Sequence, residues 1–171
     1  MRIRTENQAD YAQVHQVNFA AFGNREDEAK LVERIRETSY FVPELSIVAE
    51  EDGVIIGHIL LSKADVVDGE QHYEVLALAP VAVDPNHQKQ GVGKQLIHEA
   101  LQRGKELGYA IVLLIGHPTY YPKFGFQPAR SYGLELKQFE VSDDVFMVCE
   151  LQENALKRIK GELIYPSAFF G

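Results

Sequence analysis

The 171-residue chain is sized for one ordinary globular domain, and its 46% hydrophobic and 25% charged residues exclude an intrinsically disordered protein. Its 17 Lys and Arg against 25 Asp and Glu leave a formal charge of −8, which repels phosphate backbones and argues against a nucleic-acid partner. The lone cysteine, Cys149, excludes an internal disulfide and a cysteine-rich zinc module, and the longest apolar run, Tyr109 to Ile115, is far below the roughly 18 residues of a membrane span.

Taken in order, Ile3 to Thr5 reads as a short strand, and Asn7 with Asp10 as the start of a helix. Tyr11, Val14, Val17, Ala21 and Phe22 recur at helical spacing, and a second helix is predicted over Asp27 to Glu37 with Leu31, Val32 and Ile35 as its apolar stripe. Leu45 to Glu50 and Val54 to Ser62 read as strands joined by a hairpin at Asp52-Gly53. A second Asp-Gly, at Asp68-Gly69, precedes an almost wholly apolar strand, Glu74 to Val83, buried on both faces. Pro80 donates no ladder hydrogen bond, so pairing is expected to break or bulge there. A seven-residue loop after Asp84-Pro85 leads into a helix from about Gly91 to Leu107, with Gly108 as its stop. Ala110 to Ile115 is the next apolar strand, and strand–helix–strand at this length implies parallel neighbours. Tyr120 to Phe124 reads as a short helix, and Leu134 to Lys137 and Val145 to Leu151 as closing strands. The expected fold class is α+β, a mixed central sheet with helices on both faces.

The stretch Gln88-Lys89-Gln90-Gly91-Val92-Gly93-Lys94 lies between a buried strand and a helix. Two glycines there allow close backbone approach, and the helix start offers unpaired N–H groups and partial positive charge, which suits a diphosphate. The alternative is a glycine-rich turn that only starts a helix. A Walker loop is excluded, since Gln88 stands where its first glycine belongs and Gln95 follows Lys94. A Rossmann turn lacks its third glycine at Leu96.

The strand end Val81-Ala82-Val83-Asp84-Pro85, followed by Gln88-x-x-Gly91-x-Gly93, resembles the acyl-CoA site of the GCN5-related N-acetyltransferases (GNAT). Tyr121-Pro122-Lys123-Phe124-Gly125-Phe126 resembles the family element that closes this site, and the order of elements agrees from about residue 3 to 151. The resemblance reaches a branch of the family whose substrate is unsettled. It implies a single N-acetyltransferase domain over 1–171, with 152–171 as a C-terminal extension. It implies acetyl-CoA as cosubstrate, no metal, and an unidentified primary amine as acceptor. Val81, Ala82 and Val83 would pair with the pantetheine arm, and the backbone of Gln88, Lys89, Gln90, Gly91, Val92, Gly93 and Lys94 would hold the pyrophosphate. Tyr121 would protonate the departing thiolate. A non-catalytic acyl-CoA-binding module is the alternative, because no general base is assigned: the usual glutamate position falls near Ala77, with Glu74 three residues off. The Asn that many relatives carry after the later strand has no equivalent in Gly116-His117-Pro118-Thr119.

His58 and His117 are candidate pocket residues, set against a hydrogen-bonded strand histidine and a solvated loop histidine. Cys149, flanked by Phe146, Val148 and Leu151, reads as an inert core thiol. Tyr11, Phe19 and Phe22 either border an acceptor channel or pack in the core. The tail from Leu163 to Phe170 is apolar enough to dock on its own domain or to cover a partner, and homodimer assembly stays open. With one cysteine and no apolar opening stretch, the expected location is the cytoplasm.

Overall fold

The computed structural model describes residues 1–171. In chain order its elements are β1 (Arg2–Thr5), α1 (Tyr11–Ala21), α2 (Asp27–Arg36), β2 (Ser46–Glu51), β3 (Val54–Asp68) and β4 (Gln71–Val83). There follow α3 (Val92–Glu106), β5 (Ile111–Ile115), β6 (Gln127–Pro128), β7 (Leu134–Glu135), β8 (Phe146–Glu150), α4 (Ala155–Arg158) and β9 (Gly161–Ile164). They fall into two compact units, each assembled from separate stretches: 1–62, 79–103 and 168–171 in the first, 63–78 and 104–167 in the second. No helix is long and apolar enough to cross a membrane.

In the first unit β1 pairs antiparallel with β2 and β2 with β3, placing Val48 between Arg4 and His58 in register. Asp52 and Gly53 both take left-handed backbone angles, φ 51° and 78°, as a tight two-residue hairpin requires. Asn7 caps the chain's first helical turn as a reciprocal box: its side chain accepts from Ala9 N, and Asp10 Oδ2 accepts from Asn7 N at 2.8 Å. The Asp10 carboxylate is also held by Arg4 at 2.7 and 3.0 Å, which depresses its pKa and ties β1 to the start of α1. Val14 and Val17 of α1 and Val32 and Ile35 of α2 pack with Val48, Leu60 and Ala82 in one apolar cluster. Tyr11 departs from the expected stripe. It is exposed, and the Arg36 guanidinium lies 3.8 Å from its ring centre.

In the second unit β4 and β5 run parallel, with Leu76 opposite Val112 and Ala77 opposite Leu113. β8 is antiparallel to β5, and β6 to β8. β3 outruns its predicted end by six residues because its distal part has a partner: Asp65, Val66 and Val67 pair with Ile164, Leu163 and Glu162 of β9. The β4–β5 pairing stops before Pro80, as expected of a residue with no N–H to donate, although β4 itself runs on as a strand through the buried Pro80 to Val83.

The tail docks on its own chain. Leu163 is fully buried, and the Gln138 side-chain amide brackets the Tyr165 backbone, accepting from its N–H at 2.8 Å and donating to its carbonyl at 3.2 Å. Ala168 and Phe169 join the apolar cluster of the first unit, and Arg34 Nε donates to the Ala168 carbonyl at 2.8 Å.

Candidate active site

In the first unit the end of β4 and the start of α3 are held close together by Gly57 of β3. A Cβ at Gly57 would stand 3.0 Å from Leu96 Cδ1 and Val92 Cγ1 and 3.3 Å from the Ala82 carbonyl. Glycine lets the first turns of α3 lie directly on the strand. Asp84 N donates to the Ile56 carbonyl at 2.8 Å, fixing where the chain leaves β4, and Gln88 Nε2 reaches back to the Val83 carbonyl at 3.2 Å. Lys89 and Gly91 turn through left-handed angles, φ 63° and 84°, and the first α3 bond runs from Gln95 N to the Gly91 carbonyl at 3.1 Å. The N–H groups of Val92, Gly93 and Lys94 precede that bond and have no intrahelical acceptor. A Cβ on Gly91 would meet no protein atom within 4 Å, so the turn faces open space. Within Val81–Val83 and Gln88–Lys94 only Ala82 and Val92 are buried, and the other residues are exposed or half-buried.

Tyr121 belongs to the second unit. It opens a one-turn 3-10 helix, Tyr121–Phe124, whose limits are local: Pro122 presets the first turn, and Gly125 at φ 93° ends it. The ring is 9% exposed and lies edge-on to Tyr120 at 5.1 Å and to Phe126 at 5.9 Å. Burial, with a smaller contribution from Tyr120, pushes its phenol up to about 12. It therefore carries its proton throughout the neutral range.

The profile described as an acetyltransferase (GNAT) domain matches residues 2–129. The chain belongs to the GNAT acetyltransferases. It is 36% identical over 143 residues to YhbS of Escherichia coli K12, named an uncharacterized N-acetyltransferase, covering 83% of each chain. A crystal structure of E. coli YhbS in complex with CoA superposes with a TM-score of 0.91 at 32% identity, covering 99% of this chain and 92% of that one. A Brucella melitensis GNAT acetyltransferase in complex with acetyl-CoA matches at a TM-score of 0.79 and 30% identity, over 98% and 97% of the two chains.

The remaining candidates of this GNAT acetyltransferase sort cleanly. His58 is fully buried and hydrogen-bonded on both sides, to Asn18 Nδ2 at 3.2 Å and Ser46 Oγ at 3.0 Å. Its Nδ1 accepts from the amide, which leaves Nε2–H to donate to Ser46. The Ser46 hydroxyl donates to Glu6 Oε1 at 2.9 Å, and Arg36 holds Glu6 at 2.5 and 3.2 Å. Burial, then the charge of Arg36, lowers the His58 pKa to about 3. His58 is thus a neutral, fully buried group held by hydrogen bonds on both sides. His117 is an exposed loop histidine beside Thr119 Oγ1 at 3.1 Å. Cys149 is buried, and desolvation raises its thiol to about 11, as an inert core residue requires. Glu74 is exposed, beside Lys63 and Tyr109. No group of three or more His, Cys, Asp or Glu residues is placed to hold a metal ion. Sequence reasoning passed over Gly116, whose backbone is covered by the Tyr121 ring; a bare glycine in a loop carries no signal of a ring that folds back on it.

Proposed function

We propose that this enzyme transfers acetyl from acetyl-CoA to a primary amine by direct attack, with the pyrophosphate on the Gln88–Lys94 turn. The observation that carries the reading is that turn: unpaired helix-start N–H groups, two exposed lysines and the left-handed Gly91 together face open space. The CoA and acetyl-CoA bound by the two similar structures support it. Val81, Ala82 and Val83 receive the pantetheine arm as an added strand, through their backbone groups.

In the step itself the amine nitrogen bonds to the thioester carbonyl carbon, and the carbon–sulfur bond breaks. Tyr121 gives its proton to the sulfur, and the proton lost by the amine returns through solvent to the phenolate. The phenol is loaded because burial keeps it protonated. The net charge and the single cysteine, buried at Cys149, fit a cytoplasmic enzyme.

The experiment is a panel of amines with acetyl-CoA, read as free thiol, on wild type, Tyr121→Phe and Tyr120→Phe. At least one amine should release CoA thiol. Tyr121→Phe should lower the single-turnover rate by about 10²–10⁴-fold with CoA affinity nearly constant, and Tyr120→Phe far less. Tight acetyl-CoA binding without thiol release from any amine would make the chain a binding module. Equal single-turnover rates for wild type and Tyr121→Phe would remove Tyr121 from the mechanism. Light scattering on the same preparation tests homodimer assembly.

A further inference from the structure

The chain between β5 and the Tyr121 helix makes a tight reversal. Gly116 N donates to the Val145 carbonyl at 2.9 Å, extending the β5–β8 pairing one residue past Ile115, so the Gly116 backbone is fixed by its neighbour strand. Tyr120 N then donates to the His117 carbonyl at 3.2 Å, closing a turn that carries Tyr121 back toward the strand end. A Cβ built on Gly116 would lie 2.4 Å from Tyr121 Cε2 and 2.9 Å from Cδ2, with Leu114 Cδ1 at 3.2 Å. Carbon atoms in contact sit about 3.5–4.0 Å apart, so no side chain at all fits beneath this ring. Tyr120 and Phe126 lie edge-on to the same ring at 5.1 and 5.9 Å, so relieving the conflict means moving a packed ring.

Two details give the contact a functional reading. Gly116 is not among the glycines with positive φ, so its backbone lies where other L-residues can go and glycine is required for space alone. Cε2 is bonded to the hydroxyl-bearing carbon, so the closest approach is at the hydroxyl end of the ring rather than at its root.

We propose that Gly116 is a positioning residue for the acyl transfer: its missing side chain is the seat that fixes where the Tyr121 hydroxyl points. This rests on the reading of Tyr121 as the proton donor. Any substituent at Gly116 lifts the ring at Cε2 and moves the hydroxyl away from the sulfur it protonates, while the Gln88–Lys94 turn is left as it is.

The test is Gly116→Ala, alone and combined with Tyr121→Phe and with Tyr121→Ala. Single-turnover acetyl transfer should fall about 10-fold or more with CoA affinity within about threefold, since misplacement of a catalytic group by about 1 Å costs up to about 10²-fold. Gly116→Ala should then add little to the loss already caused by Tyr121→Phe. The structural half is read without activity. The aromatic NMR signals of Tyr121, assigned by comparison with Tyr121→Phe, should shift in Gly116→Ala. The melting temperature should fall for Gly116→Ala when Tyr121 is present and hardly at all in the Tyr121→Ala background. If Gly116→Ala fails to fold, recovery of folding by Tyr121→Ala establishes the same contact, and no recovery overturns it. Unmoved Tyr121 signals, a wild-type single-turnover rate, or losses that multiply with Tyr121→Phe would each overturn the proposal. Shifted Tyr121 signals together with a fully active Tyr121→Phe enzyme would leave the seat standing and refute Tyr121 as the acid.

Discussion

At the scale of single residues, the structure separates side chains that resemble each other in the sequence by what surrounds them. Two tyrosines stand side by side and burial raises both phenols, but Tyr121 is the more deeply buried, with its phenol pushed up to about 12. Two histidines were candidates; His58 lies in the core, and His117 is exposed in the loop after β5. His58 sits in a chain of hydrogen bonds through Ser46 to Glu6, which Arg36 already neutralises, and burial with the Arg36 charge disfavours a proton on it. Its pKa falls from 6.5 to about 3 on folding. The sign follows from proton counting: below pH 6.5 the unfolded chain takes up a proton that the folded chain refuses. Stability from this site is complete above pH 6.5 and is lost as pH falls toward about 3, at a slope approaching 1.4 kcal/mol per pH unit, roughly, in that window. Replacing His58 with Gln removes the titration. Urea unfolding of both proteins from pH 7 to pH 4 should show the wild-type advantage shrinking as the solution is acidified. A constant difference across the range would mean that His58 protonates in the folded protein. A hydrogen-bonded strand histidine was one reading of Gly57-His58-Ile59, but its partners were not readable, because Asn18, Ser46 and Glu6 come from three other segments.

Elements were legible where their signals are local. The Asp52-Gly53 hairpin, the Asn7–Asp10 box, the start of α3 after Gly91 and the stop at Gly108 each depend on residues within a few positions of one another. β9 was not legible. Its four residues include one buried apolar side chain, Leu163, and it becomes a strand only because β3 on one side and β7 on the other supply ladder partners. β6 is two residues long and includes Pro128, so no periodicity could announce it. The α3 start is where element geometry bears on chemistry. Gly91 at φ 84° aims the turn, and its open face accommodates a Cβ without touching the protein. Gly91→Val therefore costs left-handed strain of about 1–2 kcal/mol and, under the proposed function, places a branched side chain where the backbone would approach the pyrophosphate. Isothermal titration should show CoA affinity reduced by about tenfold or more, with α3 still formed by circular dichroism. Unchanged affinity in the folded variant would move the pyrophosphate away from this turn.

For the whole molecule the governing quantity is charge. With 25 acidic against 17 basic side chains, the chain carries −8, and at least part of the basic set is committed to internal pairs: Arg4 with Asp10 and Glu50, Arg36 with Glu6, Arg130 with Glu135 and Asp143. The acidic surplus sets up a field that attracts amines in their protonated form and repels anionic ones, while Lys89 and Lys94 oppose it locally at the turn that would meet a diphosphate. That division of sign suits a reaction between an anionic donor and a cationic acceptor. It predicts that basic acceptors, such as polyamines or basic peptides, are preferred over neutral or acidic amines of similar size. The attraction acts over distances comparable to the Debye length, about 8 Å at physiological ionic strength, so salt should weaken it. For a di- or polyamine acceptor, kcat/KM at saturating acetyl-CoA should fall several-fold between about 50 and 300 mM salt, and for a neutral amine of similar bulk it should change little. Because only encounter is affected, kcat should hold while KM rises. An anionic acceptor turned over best, with rates indifferent to ionic strength, would show that the groups around the bound amine, rather than the charge of the whole chain, choose the substrate.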